Sequence, residues 1–167
     1  MKKVLTISFC LLGLLITSSV SAQATATANA SATIVTPISI AKTADMNFGN
    51  IATDGNVGTV VLTPGSARTF TGGVTLPAAT GTVTAASFTV TGSGAYTYAI
   101  TLPASVTITS GSDSMIVDNF TSTPSGTGTL SSGTQTINVG ATLNLVASQA
   151  EGTYTSATAF PVTVNYN

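Results

Sequence analysis

The chain has 167 residues, of which 43% are hydrophobic and only 5% charged, and it contains no His and no Trp. This length allows one or two small domains, and the composition excludes a disordered chain because there is apolar surface to bury and little charge repulsion. The net charge of −1 leaves no basic surface for nucleic acid.

The first 22 residues are typical of an export signal. Lys2 and Lys3 precede an apolar run over residues 4–16, and the sequence Val20-Ser21-Ala22 is a small-residue cleavage site. The run is shorter than the roughly 17 to 25 apolar residues that span a bilayer. We therefore expect cleavage after Ala22, no membrane span in the mature chain, and a secreted protein in the periplasm, on the cell surface or outside the cell. A lipid anchor on Cys10 is the less favoured alternative, since this residue lies inside the apolar run.

Removal of the signal leaves a mature chain without Cys, and therefore without a disulfide or a thiolate. Lys42 and Arg68 then stand against five carboxylates, which gives a net charge of −3. Thr supplies 31 of the 145 mature residues. Thr and Val together favour pleated, half-buried strands over helix.

The start of the mature chain alternates between small apolar and polar side chains. Residues 24–35, fully extended, reach about 40 Å at about 3.3 Å per residue, which is longer than a typical strand. Pro37 separates this segment from the remainder of the chain. We predict an N-terminal extension strand over residues 23–36 and a folded domain over residues 37–167. The apolar face of the extension consists of Ala24, Ala26, Ala28, Ala30, Ala32 and Ile34.

The rest of the mature chain repeats apolar residues with a period of two. From Tyr96 to Leu102 the even positions are large and apolar, and Pro103 ends the run. The same alternation recurs to the end of the chain, and turn signals separate the runs. Several short strands about ten residues apart predict an all-β fold, an antiparallel β-sandwich. The further runs are 106–109, 137–139, 143–145 and 160–166, and the turn signals include Asp54-Gly55, Gly72-Gly73 and Gly140.

Short motifs in a fixed order carry a family resemblance. They are Pro37-Ile38-Ser39-Ile40, MNFGNI at 46–51, AASFTVTG at 85–92, YAITLP at 98–103, VGATL at 139–143, Gly152-Thr153-Tyr154 and VTVNY at 162–166. This order, over nearly all of the mature chain, resembles the bacterial domain-of-unknown-function family 4402. The resemblance implies an exported all-β protein without an assigned activity. A protein of this family is also similar to the spore coat protein U family and to the immunoglobulin-like, pilin-like subunits of chaperone-usher pili.

The pilin-like resemblance implies assembly by strand donation. Residues 24–35 of one copy would enter a groove in the next copy, with their Ala face and Ile34 inward. The implied partners are copies of the chain or related subunits, together with a periplasmic chaperone and an outer-membrane usher. Two features depart from that pattern, because Ala buries little area and the disulfide of many coat-protein-U-like subunits is absent. The groove-edge strand would contain Phe160, Val162, Val164 and Tyr166.

Two alternatives stay open for residues 24–35. The segment can fold back onto its own sheet, as in a self-complemented monomeric adhesin or binding module, or it can form a flexible stalk. Deletion of residues 24–35 separates these hypotheses. A strand-donating subunit would lose polymerisation, a self-complemented monomer would lose stability, and a protein with a flexible stalk would lose neither.

An enzymatic function lacks the residues that it needs. Without His or Cys no nucleophile-base pair is evident, and Asp113 and Asp118 lie five positions apart, so on a regular strand they face opposite ways. Asp54 lacks the alternating acidic ligands of a calcium loop. The sequence therefore predicts no catalytic, cofactor or metal site.

Overall fold

The computed structural model describes residues 22–167 and divides the chain into two units, residues 1–33 and 34–167. The predicted signal therefore lies outside the described residues, apart from Ala22. In the first unit, residues 22–33 contain no helix or strand and every side chain is exposed.

The second unit consists of ten strands with no helix among residues 34–167. The prediction of an all-β fold is thus confirmed. The strands are β1 (Ser39–Ala44), β2 (Ala52–Leu62), β3 (Arg68–Thr75), β4 (Ala86–Thr91), β5 (Thr97–Thr101), β6 (Ser105–Ser110), β7 (Asp113–Thr123), β8 (Thr127–Thr129), β9 (Thr134–Leu145) and β10 (Thr163–Tyr166).

The larger, seven-stranded sheet is organised around β9, the longest strand. One edge of β9 pairs first with β4 through residues 134–139 and then with β2 through residues 141–145, while β7 pairs along the other edge. β1, β3 and β6 extend the sheet beyond β4, β2 and β7, respectively. All of these pairs are antiparallel.

The change of partner along β9 occurs at Gly140. The predicted turn at this glycine is wrong, because Gly140 lies inside β9. A Cβ atom at this position would collide with the Leu62 carbonyl oxygen and with the backbone of Thr63 and Pro64. Glycine is required there because the end of β2 comes too close to the β9 backbone for any side chain.

The second sheet has the strand order β10-β5-β8 and packs against one half of the larger sheet. Their shared core, which we call the sandwich core, is continuous from β4 and β9 to β5 and β10. The predicted strand from Tyr96 to Leu102 is confirmed as β5. The buried members of the sandwich core are Ala86, Phe88, Val90, Tyr98, Leu130, Ile137, Val139 and Val164.

Tyr98 is the largest fully buried side chain of the sandwich core. Its hydroxyl donates a hydrogen bond of 2.6 Å to Oε1 of Gln135. Burial raises the pKa of the Tyr98 phenol above its usual value, because the phenolate would lose its hydration. The sandwich core therefore holds this polar group neutral and satisfied.

Among residues 22–167, no strand of the second sheet packs over the other half of the larger sheet. Its apolar inner face contains Val60, Val74, Met115, Val117, Ala141, Leu143 and Leu145, and none of the hydrophobic residues packed against this face comes from β5, β8 or β10. The residues that approach it from above belong to loops, namely Met46, Phe48, Ile51 and Tyr154. The molecule is therefore a sandwich over one half and a single sheet with loop cover over the other.

Several local predictions need correction. The predicted turns at Asp54-Gly55 and Gly72-Gly73 are wrong, because these residues lie inside β2 and β3, whose mutual register shifts between Thr53 and Gly58. The last strand begins at Thr163, so the first part of the predicted strand 160–166 is irregular. The register shift marks a bulge in the pairing of β2 with β3, and residues 160–162 lie outside any strand.

Candidate assembly site at the last strand

β10 is an edge strand of the second sheet, and its outer edge has no strand partner among the described residues. The Asn167 amide donates to the Thr97 carbonyl at 3.3 Å, and the Ile100 amide donates away from β10, to the Gly126 carbonyl at 2.8 Å. Residues of an antiparallel pair alternate between bonding each other and facing outward. The backbone N–H and C=O groups of Val164 and Tyr166 therefore face the open edge.

The Tyr166 side chain fixes one end of β10. Its hydroxyl accepts a hydrogen bond from the Ser93 amide at 2.7 Å and donates one to the Thr36 carbonyl at 2.9 Å. The Tyr166 ring lies 5.6 Å from that of Tyr96, which is about half exposed. These contacts close the Tyr166 end of the strand and hold Thr36 beside it.

The other end of β10 leads to an aromatic cluster. Phe160 lies 5.0 Å from Phe120 of β7 and 6.5 Å from Phe88 of β4, measured between ring centroids. It packs against the sandwich core and also lines a cleft over the uncovered half of the larger sheet. Phe160 therefore marks the boundary between the two halves of the molecule.

This cleft, whose lining combines apolar and polar side chains, has a volume of about 1190 Å³. Its floor is formed by side chains that alternate along three adjacent strands, β6, β7 and β9. We call this set the cleft floor: Val106, Ile108, Met115, Val117, Leu143 and Leu145. The cleft floor has no ionisable group, and four of its six side chains, those of Met115, Val117, Leu143 and Leu145, are no more than 8% exposed.

One wall of the cleft is the loop of residues 46–51, which the rest of the domain holds in place. Nη1 of Arg68 donates to the carbonyls of Phe48 and Asn50. Asn47 exchanges two backbone hydrogen bonds with Thr84, at 2.8 and 2.9 Å. Gly49 has a φ of 70° and its amide donates to Oδ1 of Asn47 at 2.8 Å. This wall is therefore tied by hydrogen bonds to β3 and to the segment that precedes β4.

The opposite wall is the segment 149–156 between β9 and β10. The Tyr154 hydroxyl accepts a hydrogen bond from Nε2 of Gln149 at 2.8 Å and donates to the Ala150 carbonyl at 2.7 Å. Thr155 exchanges two backbone hydrogen bonds with Thr109 at the free edge of β6. The segment is therefore attached at β6 and crosses above the sheet to Phe160.

Charges lie at the rim of the cleft and not on its floor. The charged lining residues are Lys42, Asp45 and Glu151. Nζ of Lys42 and Oδ1 of Asp45 form an ion pair of 2.6 Å, and both side chains are largely exposed, so this pair contributes little stability. The other polar lining side chains are uncharged and include Asn47, Asn50 and Gln149, so burial and hydrogen bonds to uncharged groups are the means of recognition that the cleft offers.

The predicted groove-edge residues occupy different environments. Val164 is buried in the sandwich core, Tyr166 and Val162 are half-buried against it, and Phe160 lines the cleft. Only Val164 and Tyr166 belong to β10. The structure brings them to one edge, but it does not test their role in assembly.

The predicted donor residues, Ala24 to Ile34, are exposed at every position, and Ile34 is 98% exposed. No strand is assigned from residue 22 to residue 38. Donation by a second copy therefore stays a prediction.

Sequence reasoning missed the cleft and the cation that supports its wall. The alternation of Met115 with Val117 and of Leu143 with Leu145 indicates buried strand faces, but nothing local indicates that no second sheet covers them. Arg68 enters the sequence reasoning only as a charge. The sequence signal that could have identified Arg68 as a structural residue is that it is one of just two basic residues in the mature chain.

The described part of the chain holds neither a metal cluster nor a membrane-spanning helix. Residues 22–167 bring together no group of three or more His, Cys, Asp or Glu side chains that could hold a metal ion. The same residues include no helix with the length and apolar character needed to cross a membrane.

The described residues form an antiparallel β-sandwich. The outer edge of β10 has no strand partner among them, and one half of the larger sheet is covered by loops and not by the second sheet. A family model described as a domain of unknown function (DUF4402) matches residues 38–166. The chain belongs to this family, as its ordered motifs predicted. No curated protein and no solved structure matches the chain.

Proposed function

We propose that this protein is an exported structural subunit of a fimbria-like or coat-like surface assembly built by β-strand donation. Residues 24–35 of one copy would pair with the open edge of β10 in the next copy. Support comes from the resemblance of the ordered sequence motifs to spore coat protein U and to the subunits of chaperone-usher pili. The export signal predicted over residues 1–22 supplies the route out of the cytoplasm.

The observation that carries the proposal is the open edge of β10. Unpaired backbone groups on an edge strand are a template for another strand, and proteins that stay monomeric block such edges with charges, proline or cover. The four residues of β10 include no charged side chain and no proline. A strand added there would gain main-chain hydrogen bonds, while its alternate side chains would face the sandwich.

The exposed extension supplies a matching strand. It has no charged residue between Ala22 and Thr36, so its entry into an apolar groove needs no desolvation of charge. A periplasmic chaperone that holds the edge of β10 until a second copy arrives, and an outer-membrane usher, are the partners that such an assembly requires.

The experiment is an unheated denaturing gel of protein sheared from its native cells, run beside the same sample boiled. Strand-exchanged polymers dissociate slowly, because a ladder of hydrogen bonds must break together. We expect a heat-labile ladder at multiples of the mature mass and its loss when residues 24–35 are deleted. A single band in the unheated lane would contradict strand donation.

A matched pair of variants makes the test specific to one face of the extension. Ala28→Asp places a charge on the apolar face, whereas Thr27→Asp places the same charge on the polar face. We expect the first to abolish the ladder and the second to retain it. Equal ladders in both variants would show that the Ala face enters no groove.

The rival function is that of a self-complemented monomeric adhesin or binding module. The observation in its favour is the exposed ring of Tyr96 beside Tyr166, since exposed aromatic rings can stack on sugars. A monomeric band in wild type, together with loss of stability on deletion of residues 24–35, would support this rival.

A further inference from the structure

The larger sheet ends in three edge strands among the described residues, namely β1, β3 and β6. An open edge offers its backbone groups to another chain, so folded proteins protect such edges with charge or cover. β1 contains the exposed Lys42, and Thr155 covers β6 through its two backbone hydrogen bonds with Thr109. Within residues 22–167, β3 has neither kind of protection along its outer edge.

The outer edge of β3 combines open backbone groups with an exposed aromatic ring. β3 pairs with β2 in one continuous register over residues 68–72, before the register shift. Arg68 is the only charged residue of β3, and its Nη1 donates to carbonyls of its own chain, those of Phe48 and Asn50. Phe70 is 47% exposed. The middle of this edge is therefore uncharged and partly apolar.

The pairing with β2 determines which backbone groups of β3 face outward. The Thr63 amide donates to the Ala67 carbonyl at 2.9 Å, and the next pair in the same register is Leu62 with Arg68. Hydrogen-bonded and outward-facing residues alternate along an antiparallel strand. The N–H and C=O groups of Arg68 and Phe70 therefore face the open edge.

We propose that β3 of one copy pairs antiparallel with β3 of a second copy, about a twofold axis at Phe70. Phe70 is the central residue of the regular stretch 68–72, and in this register it bonds Phe70 of the second copy through its N–H and its C=O. Two residues that bond each other in this way have Cα atoms about 5.5 Å apart. Their rings lie on one face of the joined sheet and pack on each other. The pairing goes beyond the proposed function, because it needs neither residues 24–35 nor β10.

The residues on either side of Phe70 fit the same axis. Thr69 lies opposite Thr71 of the second copy, and such cross-strand threonine pairs stabilise a sheet. Arg68 lies opposite Gly72, which has no side chain to collide with it. The two Arg68 residues are then four positions apart along the strands, about 13 Å, so like charges do not meet. The edge is therefore complementary to a copy of itself, as a twofold interface requires.

The size of the contact determines its strength. The five residues 68–72 of each copy are far fewer than the roughly 20 to 30 residues a side of a standard stable interface. A single pair is therefore short-lived, and the contact becomes strong only where many copies present β3 side by side. The partner that fits this edge is thus a second copy within a repeating array, and a pair in solution must be trapped to be detected.

Cysteine crosslinking tests the axis, because Cys10 is the only Cys and it lies in the predicted signal. Mature Thr69→Cys and Thr71→Cys proteins are mixed in equal amounts, oxidised mildly and compared with each protein alone. In the mixture, residue 69 of one copy faces residue 71 of the other, with Cα atoms about 4.5 Å apart. Identical positions lie about 8 Å apart, beyond the reach of about 7 Å of a disulfide.

The matched control is Thr75→Cys, an exposed position of the same strand that lies about 33 Å from its counterpart in the proposed pair. The readout is the disulfide-linked dimer on a boiled, non-reducing gel, in which strand-donated polymers have dissociated. We expect a severalfold larger dimer fraction from the mixture than from either protein alone or from Thr75→Cys.

A second pair of variants tests the role of Phe70 at the axis. Adding Phe70→Lys to both Cys proteins should abolish the excess of dimer, because two cations would lie opposite each other. Val57→Lys replaces an exposed apolar residue of β2 and should keep the excess. Thermal unfolding of both Lys variants shows that they are folded.

Two results would overturn the proposed pairing. Equal dimer fractions from the mixture, from the single proteins and from Thr75→Cys would show that the copies meet only by collision. An excess of dimer that survives Phe70→Lys would place the contact away from the Phe70 axis.

Discussion

The two halves of the larger sheet are built from similar strands but are covered differently. Over β4 and the first half of β9, a second sheet buries Val90 and Ile137 completely. Over β6, β7 and the second half of β9, the cover is two loops with a cleft between them. One half is therefore buried by a second sheet, while the other is buried by loops, which leave Met115, Val117 and Leu143 no more than 8% exposed.

The largest difference between the halves is expected from truncation of matched leucines. Leu130→Ala in the sandwich core should lower the free energy of unfolding by about 2 to 5 kcal/mol, because it leaves a closed cavity. Leu145→Ala in the cleft floor should lower it by about 2 kcal/mol or less in the monomer, since the lost volume joins an open cleft. Urea unfolding of both monomers measures this, and equal losses would contradict the comparison.

Gly140, where β9 changes its partner from β4 to β2, should tolerate no side chain. Gly140→Ala is expected to lower the free energy of unfolding by about 1 to 3 kcal/mol, because the added Cβ overlaps the Leu62 carbonyl. The control is Gly65→Ala, whose Cβ would have its nearest neighbour at 3.8 Å. Thermal unfolding should show a clearly lower midpoint for Gly140→Ala than for Gly65→Ala. An unchanged midpoint of Gly140→Ala would contradict the close approach of the Leu62 carbonyl to Gly140.

The cleft wall should depend on Arg68. Arg68→Met keeps the aliphatic stem but removes the donors to Phe48 and Asn50, and we expect a loss of about 1 to 3 kcal/mol. Hydrogen exchange should accelerate in residues 46–51 and stay unchanged in β5. Lys42→Met, which removes an exposed cation, should change stability by less than about 0.5 kcal/mol. Equal effects of the two variants would contradict a specific role for Arg68.

The smallest expected effect is a pH dependence that belongs to the sandwich core alone. Because burial raises the pKa of Tyr98 in the folded state, its contribution to stability is complete below the unfolded value and decreases as the pH rises through about 10. Tyr98→Phe should flatten this decrease, because it removes the buried phenol that titrates. Unfolding midpoints between about pH 8 and pH 11 measure the slopes, and identical slopes in wild type and Tyr98→Phe would contradict the assignment.

Local periodicity predicted the strands well where the chain is regular. The alternation from Tyr96 to Leu102 became β5, and the alternations around Val106 and Leu143 became parts of β6 and β9. It failed at Gly140 and at Gly72-Gly73, where a turn signal lies inside a strand, because close backbone approach and bulges depend on partners distant in sequence.

The site was only partly predictable. The apolar positions of the last strand pointed to the edge around Val164. The cleft did not follow from the sequence, since the extent of the second sheet is set by long-range pairing and not by the alternation of Met115 or Leu143. Phe160 is an example of this limit. Its place in the alternation predicted a strand residue, but it lies in a segment outside any strand, with its ring beside that of Phe120.

The most direct test of strand donation is hydrogen exchange at the open edge of β10 in two states of the mature protein. Peptides that cover residues 162–167 are compared by mass spectrometry between heat-dissociated, refolded monomer and intact polymer, with β5 as the internal reference. We expect rapid exchange of the Val164 and Tyr166 amides in the monomer and strong protection in the polymer, with β5 protected in both. Equal protection of the two amides in monomer and polymer would contradict strand donation at this edge.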